Sequence, residues 1–239
     1  KEKYKDFSVG FVQAGWPVGA NLIGILATRW IPDFGWRFGF KIAAAFSLFV
    51  CLIVLLLMED SFIKQNKSQE GNKIAMLFSF HYKSSTILVW VAAFFGFMTL
   101  YTVMSWVPTI ASDAGLPFAL ATYVGIVLNI GAAIGSSSIG WLGSKFGLQR
   151  TQFVFMLIAF LLMVSYAFVP SQFVLILILI GLIGIFVQGG FNGIWPILAR
   201  IYPIEIRSTG IGFAVGVGRI GAIIGPVLFG ICLLYTSPS

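Results

Sequence analysis

The chain has 239 residues, of which 59% are hydrophobic and 10% charged, against about 25% charged in an ordinary soluble domain. A mean hydropathy of +0.97 and a net charge of +7 exclude a soluble globular protein and leave an all-α membrane protein with basic connectors. One histidine, His81, excludes a multi-histidine metal site, and the two cysteines, Cys51 and Cys232, lie in apolar runs and offer no disulfide framework.

A membrane crossing needs about 20 mostly apolar residues. In chain order, such stretches occupy residues 8–28, 38–58, 85–107, 118–142, 151–169, 172–198 and 210–234, which predicts seven transmembrane helices in a polytopic fold. Polar connectors between them are short except one, from Glu59 to Ser84, which carries Lys64, Lys67, Glu70 and Lys73.

Charge gives these helices an orientation. Lys1, Lys3, Lys5, Lys64, Lys67, Lys73, Lys83, Lys145, Arg150, Arg200 and Arg207 fall on the side of the N-terminus, whereas Arg29, Arg37 and Lys41 fall on the other. Eleven against three predicts a cytoplasmic N-terminus in a multi-pass protein of the cell membrane. The positive charge then reads as contact with anionic lipid headgroups rather than with nucleic acid. A heptahelical receptor or retinal protein faces the opposite way, and a retinal pump also needs a mid-membrane lysine; Lys41 sits only about a turn inside its span, where it can snorkel.

Several intramembrane features call for a reading. Arg219 is the one basic residue within a span, and counting from Thr209 as N-cap places it ~15 Å deep, near the centre of a ~30 Å core. Its guanidinium suits a substrate carboxylate, or equally helix-end carbonyls or an acid on a helix outside the chain. No Asp or Glu lies within a span, so no acid–base or metal chemistry of an enzyme is built into the membrane. Gln13, Asn21 and Asn129 read as interhelical hydrogen-bonding groups. Gly15 and Gly19, Gly131 and Gly135, Gly212 and Gly216, and Gly221 and Gly225 form small-x-x-x-small pairs that permit close helix approach. Trp30, Trp36 and Trp106 read as interface anchors.

The connectors carry a resemblance. Gly140-Trp141-Leu142-Gly143-Ser144-Lys145-Phe146-Gly147-Leu148-Gln149-Arg150 resembles the second-half copy of the G-x-L-x-D-R-x-G-R-R loop of the major facilitator superfamily, with Ser144 where that family often has Asp. Here the serine hydroxyl remains able to cap a helix. Gly15-Trp16-Pro17-Val18-Gly19-Ala20 with Trp30-Ile31-Pro32-Asp33-Phe34-Gly35-Trp36-Arg37 is similar to its fifth helix and following loop. Residues 202–212, from Tyr202-Pro203-Ile204-Glu205 onward, lead into Gly216-Val217-Gly218-Arg219-Ile220-Gly221 and Gly225-Pro226. This stretch resembles the tenth loop and eleventh helix of the aromatic acid:proton symporter branch, and Ser105-Trp106-Val107-Pro108-Thr109 resembles the end of its helix seven.

The resemblance implies helices five to eleven of a twelve-helix transporter. Residues 1–58 then end the N-terminal half, 59–84 form the central cytoplasmic loop, 85–232 belong to the C-terminal half, and 233–239 read as a non-native tail. The implied activity is secondary transport of a small organic acid by alternating access, coupled to protons, by a monomer without cofactor. A sugar or other metabolite porter is the close rival, and a membrane sensor or an inert scaffold fragment are rivals of another class. In that frame Gln188 and Asn192, four apart on the equivalent of helix ten, are read as substrate contacts, with interhelical hydrogen bonding as the alternative. Trp90, Phe94 and Tyr101 are candidates to stack on an aromatic ring, or simply pack. Gly140, Ser144, Lys145, Gly147, Arg150, Glu205 and Arg207 are assigned to a cytoplasmic gate. The glycine pairs are assigned to the contact between the two halves.

Overall fold

The structure is a computed structural model that describes residues 5–57, 73–113, 118–166, 168 and 172–236. Among the described residues the chain forms α1 (Lys5–Phe34), α2 (Trp36–Leu57), α3 (Lys73–Leu77), α4 (Lys83–Asp113), α5 (Phe118–Phe146), α6 (Leu148–Tyr166), α7 (Phe173–Asn192), α8 (Ile194–Ile201) and α9 (Ile204–Thr236). Among the described residues six segments are long and apolar enough to cross a membrane: Trp36–Leu57, Lys83–Val107, Tyr123–Phe146, Leu148–Tyr166, Phe173–Ile201 and Ile204–Leu233. α1 covers the first apolar stretch over 30 residues.

Two helix boundaries differ from the sequence expectation. The sixth stretch is divided at Gly193, because Pro196 has no N–H to offer the carbonyl of Asn192 and its ring crowds the preceding turn. The last helix begins at Ile204, so Thr209 lies inside α9 and is not its N-cap. Glu205 in the first turn favours this earlier start, since a carboxylate is stabilised at the positive end of the helix dipole. Lys64, Lys67 and Glu70 of the long connector lie outside the described residues, as do Lys1 and Lys3. At the other end α9 continues through the expected tail as far as Thr236.

The chain divides into two compact units, residues 19–71 and residues 1–18 with 72–239. In the smaller unit α1 meets α2 at Gly35, whose φ of +75° suits a residue without Cβ. Phe38 donates its N–H to the Gly35 carbonyl at 3.1 Å and packs on Trp30 and Phe34 with ring centroids 6.0 and 4.8 Å away. α2 buries no residue. Trp36 is exposed and lies 4.9 Å beneath the Arg37 guanidinium, a cation–π contact.

The larger unit packs α4 on α9, and α5 and α6 on α7. One core cluster joins Phe97, Leu100, Leu128, Ile180, Ile183, Val187 and Phe191; a second joins Leu77, Val89, Leu198, Tyr202, Ile206 and Ala214. In the second, the Tyr202 hydroxyl donates to Thr86 Oγ1 at 3.1 Å, and Thr86 donates onward to the Leu77 carbonyl at 3.1 Å. This chain ties α3, α4 and the α8–α9 turn into one end of the unit.

Glycine makes the helix contacts possible. A Cβ at Gly131 would strike the Gly181 carbonyl, and one at Gly135 the backbone of Ile185. Gly221 lies against the Phe94 carbonyl and Gly225 within 2.7 Å of the Met98 carbonyl, measured from the ideal Cβ position. These two pairs therefore join helices within the larger unit, α5 to α7 and α9 to α4. Around Gly15, Gly19, Gly212 and Gly216 a Cβ would meet nothing within 4 Å. Gly10, which the pattern did not single out, would place a Cβ 2.6 Å from the Ser136 carbonyl, bringing α1 close to α5.

Candidate functional site

The site is built on the seam between α4 and α9. Gly218 has no side chain, and a Cβ there would collide with the Phe97 ring, so the glycine makes room for that ring against α9. The next residue, Arg219, reaches back across the seam: Nη1 donates to the Tyr101 hydroxyl at 2.9 Å. Its guanidinium carbon stands 5.6 Å from the centroid of Phe97 and 5.7 Å from that of Tyr101. Both distances fit a cation–π contact. Arg219 is 15 positions beyond Ile204, or ~22 Å along α9, and remains exposed.

Beneath the guanidinium the aromatic rings form a continuous shelf. Phe97 and Tyr101, one turn apart on α4, lie nearly parallel with centroids 6.1 Å apart. Phe191 meets Phe97 edge-on at 4.7 Å, and Trp195 meets Phe97 at 6.4 Å and Phe191 at 6.0 Å. The Trp195 indole Nε1 is buried and has no partner, an expensive state for a hydrogen-bond donor. Arg219 and Tyr101 are thus brought together as one cationic and aromatic group.

The other aromatic candidates lie elsewhere. Trp90, 11 residues before Tyr101 and so ~16 Å along α4, stacks on Phe213 with centroids 5.8 Å apart and meets Phe78 edge-on at 5.6 Å. Phe94 packs edge-on against Phe95 at 5.2 Å, while its carbonyl faces Gly221. Trp106 is half-buried rather than a free interface anchor: its Nε1 donates to the Pro226 carbonyl at 2.9 Å, and Phe229 lies 5.6 Å away. The ring is held between helices because Gly230 leaves room for it.

Gln188 and Asn192 share a face of α7 and are both buried. Asn192 Nδ2 donates to Ser136 Oγ at 2.7 Å, and Ser136 donates to the Ala132 carbonyl at 2.7 Å, which fixes α7 to α5. Gln188 Oε1 has no partner and borders a cavity of about 10 Å³ among Leu100, Leu128 and Val187. That is room for about one water. Asn129 departs from the expected interhelical role, since its Nδ2 bonds to the Gly125 carbonyl of its own helix at 3.0 Å and its Oδ1 is buried without a partner.

At the connector between α5 and α6, Gly147 makes the turn with a φ of +93°, a conformation costly for a residue with Cβ. Ser144 does not cap α6; its hydroxyl donates to the Trp141 carbonyl at 2.7 Å within α5. Gly140 is buried, Arg150 is exposed, and the Lys145 ammonium stands 5.7 Å from Trp141 and 5.3 Å from Phe146. Arg207 donates Nε to the Tyr202 carbonyl at 3.2 Å, closing the end of α8, and Glu205 is exposed. Among the described residues no three His, Cys, Asp or Glu side chains gather as a metal site requires.

Phe97, Phe191, Trp195, Gly218 and Ser136 were not singled out from sequence. The available signal was the spacing of Phe97 four before Tyr101, and the glycine beside the one intramembrane arginine.

The sequence model of the Major Facilitator Superfamily matches residues 1–226. The chain is 24% identical to the 4-hydroxybenzoate transporter PcaK of Pseudomonas aeruginosa, covering 94% of this chain and 57% of that protein. It is 31% identical to the gentisate transporter of Corynebacterium glutamicum, covering 94% of this chain and 52% of that one. With the 3-(3-hydroxy-phenyl)propionate transporter of Escherichia coli the identity is 26%, over 95% of this chain and 56% of the relative. The chain spans about half the length of the curated relatives it matches.

Proposed function

As this chain belongs to the Major Facilitator Superfamily, we propose that it is the substrate-binding part of a secondary transporter for small aromatic carboxylates, with Arg219 receiving the carboxylate. The observation that carries this reading is the guanidinium held over the Phe97 and Tyr101 rings by one hydrogen bond, on an exposed face. A guanidinium carries five N–H donors and Tyr101 accepts from one nitrogen, so bidentate pairing with a carboxylate remains geometrically possible. The half-buried Tyr101 ring then offers apolar area for the substrate ring, backed by the buried Phe97 and by Trp195. The three relatives named above transport molecules that combine an aromatic ring with a carboxylate, in agreement with that chemistry.

Gln188 completes the polar lining in this reading, and Asn192 holds the helix that presents it. Trp90 and Phe94 are assigned to packing at the ends of the same seam. The open glycine faces at Gly212 and Gly216 on α9 are where the other half of the transporter packs and slides during alternating access. Glu205, Arg207 and the Lys145–Arg150 loop are the cytoplasmic gate. The membrane-embedded segments of this chain carry no carboxylate at their centres, so in this reading the proton-coupling group lies on transporter helices outside it. The N-terminus of the chain is cytoplasmic, the membrane is the cell membrane, and the intact transporter is a monomer.

The test is uptake of labelled 4-hydroxybenzoate by the intact transporter carrying Arg219→Lys or Arg219→Ala, with benzoate-type acids and sugars as competitors. Loss of a charge-assisted hydrogen-bonded pair costs about 1.5–3 kcal/mol, or roughly ten- to a hundredfold in uptake efficiency. Lysine recovers little, because it lacks the planar fork. Correctly inserted Arg219→Ala protein with unchanged uptake refutes the role, and competition by sugars alone refutes the substrate class.

A further inference from the structure

A second basic site lies at the membrane end of the larger unit, away from the α4–α9 seam. A cavity of about 410 Å³ opens between the α5–α6 turn and the last turn of α8. Arg150 and Arg200 line it together with Phe146, Leu148, Ile197 and Ile201, and among the described residues no carboxylate is part of the lining. The arginines come from two different helix ends, Arg150 from the first turn of α6 and Arg200 from the last turn of α8. A third cation adjoins them, because the Lys145 ammonium is held over Phe146, itself part of the wall.

From these observations we infer that the cavity binds the phosphodiester head of an anionic phospholipid. Two arginines lining one hollow bring the residue type suited to planar recognition of phosphate oxygens, and basic pockets between helix ends on the cytoplasmic side suit lipid headgroups. In the orientation proposed above, this end lies at the cytoplasmic leaflet. A second feature selects a lipid over a soluble anion. Val154, Leu157 and Leu161 follow Arg150 at intervals of four, three and four residues, so they continue its stripe along α6, and all three are exposed. A phosphate seated at Arg150 and Arg200 therefore lays its acyl chains along an apolar helix face. This site is independent of the carboxylate reading at Arg219, and it does not use any residue of that seam.

The experiment titrates the purified chain in neutral detergent with fluorescent phosphatidylglycerol, with phosphatidylcholine as the reference lipid and inorganic phosphate as competitor. Wild-type protein is expected to prefer phosphatidylglycerol by about tenfold, the factor that one or two charge-assisted contacts supply. The paired change Arg150→Gln with Arg200→Gln abolishes the preference, while Lys41→Gln, remote in sequence and uninvolved, retains it. Retention of charge with loss of the planar fork, in Arg150→Lys with Arg200→Lys, lowers the preference by about threefold; this pair decides the matter if the glutamine pair fails to fold by circular dichroism. A preference that survives either pair unchanged overturns the site. Displacement of the lipid by millimolar inorganic phosphate, equally in protein and in a soluble-headgroup control, overturns the choice of a lipid.

Discussion

Gly135 and Gly216 occupy the same kind of sequence motif, yet replacing each by alanine should move stability in opposite directions. At Gly135 the new methyl would sit 2.7 Å from the Ile185 carbonyl carbon and 2.9 Å from its Cα, and nearer still to its oxygen. All three are backbone atoms, so no side chain can swing aside. α5 and α7 must part by roughly 1 Å to regain ordinary contact distances of 3.5–4.0 Å. Overpacking of this kind costs about 1–3 kcal/mol, offset by roughly 1 kcal/mol from the better helix propensity of alanine. Separation also loosens the Leu128, Ile183 and Val187 contacts of the same seam, which leaves a net destabilisation of about 2 kcal/mol. At Gly216 a Cβ meets nothing within 4 Å, so only the propensity gain of up to about 1 kcal/mol remains. Thermal unfolding of the purified chain in detergent, followed by intrinsic fluorescence, should give a lower midpoint for Gly135→Ala and an equal or higher one for Gly216→Ala. Two midpoints displaced downward alike would refute the assignment of one glycine to a buried seam and the other to an open face. On the proposal that the Gly216 face receives the other half of the transporter, Gly216→Leu in the intact protein should impair uptake more than insertion, whereas Gly135→Leu should impair insertion itself.

Four further changes probe the polar ties between helices. Asn192→Ala and Ser136→Ala should each destabilise the chain by about 1 kcal/mol, and a double-mutant cycle should return a coupling near 0.6 kcal/mol, as interhelical hydrogen bonds in membranes do; a coupling of zero would dissociate the pair. Tyr202→Phe removes the hydroxyl that binds Thr86, at a cost of about 1 kcal/mol, and leaves the buried ring in place; an unchanged melting midpoint would contradict this. Trp106→Phe deletes the donor to the Pro226 carbonyl and should cost about 1–2 kcal/mol through the lost bond and the gap beside Gly230. An anchor at the lipid interface would instead tolerate phenylalanine without loss of stability.

Most of the helical layout was legible because a bilayer imposes one length on every crossing. What escaped was local. The break at Gly193 depends on the missing N–H of Pro196 three residues on, and a run of apolar residues hides such a break from any reading based on hydropathy. The start of α9 at Ile204 was missed for a related reason: Ser208 and Thr209 are good caps, but a helix can extend through them when Glu205 stabilises an earlier first turn. Trp106 shows the limit for side chains, since an aromatic residue near a helix end satisfies the interface pattern whether it points at lipid or at a neighbouring carbonyl.

Arg219 was legible as a costly charge, but its setting was not, because the shelf beneath it comes from α4, α7 and α8 and no short motif joins Phe97, Phe191 and Trp195. Gly218 links the two scales. Read along the sequence it is one more glycine in a helix that has many; across the α4–α9 seam it is the vacancy that admits the Phe97 ring. Alanine at 218 would push that ring outward and tilt the face on which the guanidinium rests, without touching Arg219. The position of the charge therefore depends on an apolar contact one residue away. An arginine needed only to hold helices together would require charge and reach; the parallel Phe97 and Tyr101 rings beneath this one are the added feature on which the aromatic-carboxylate proposal rests.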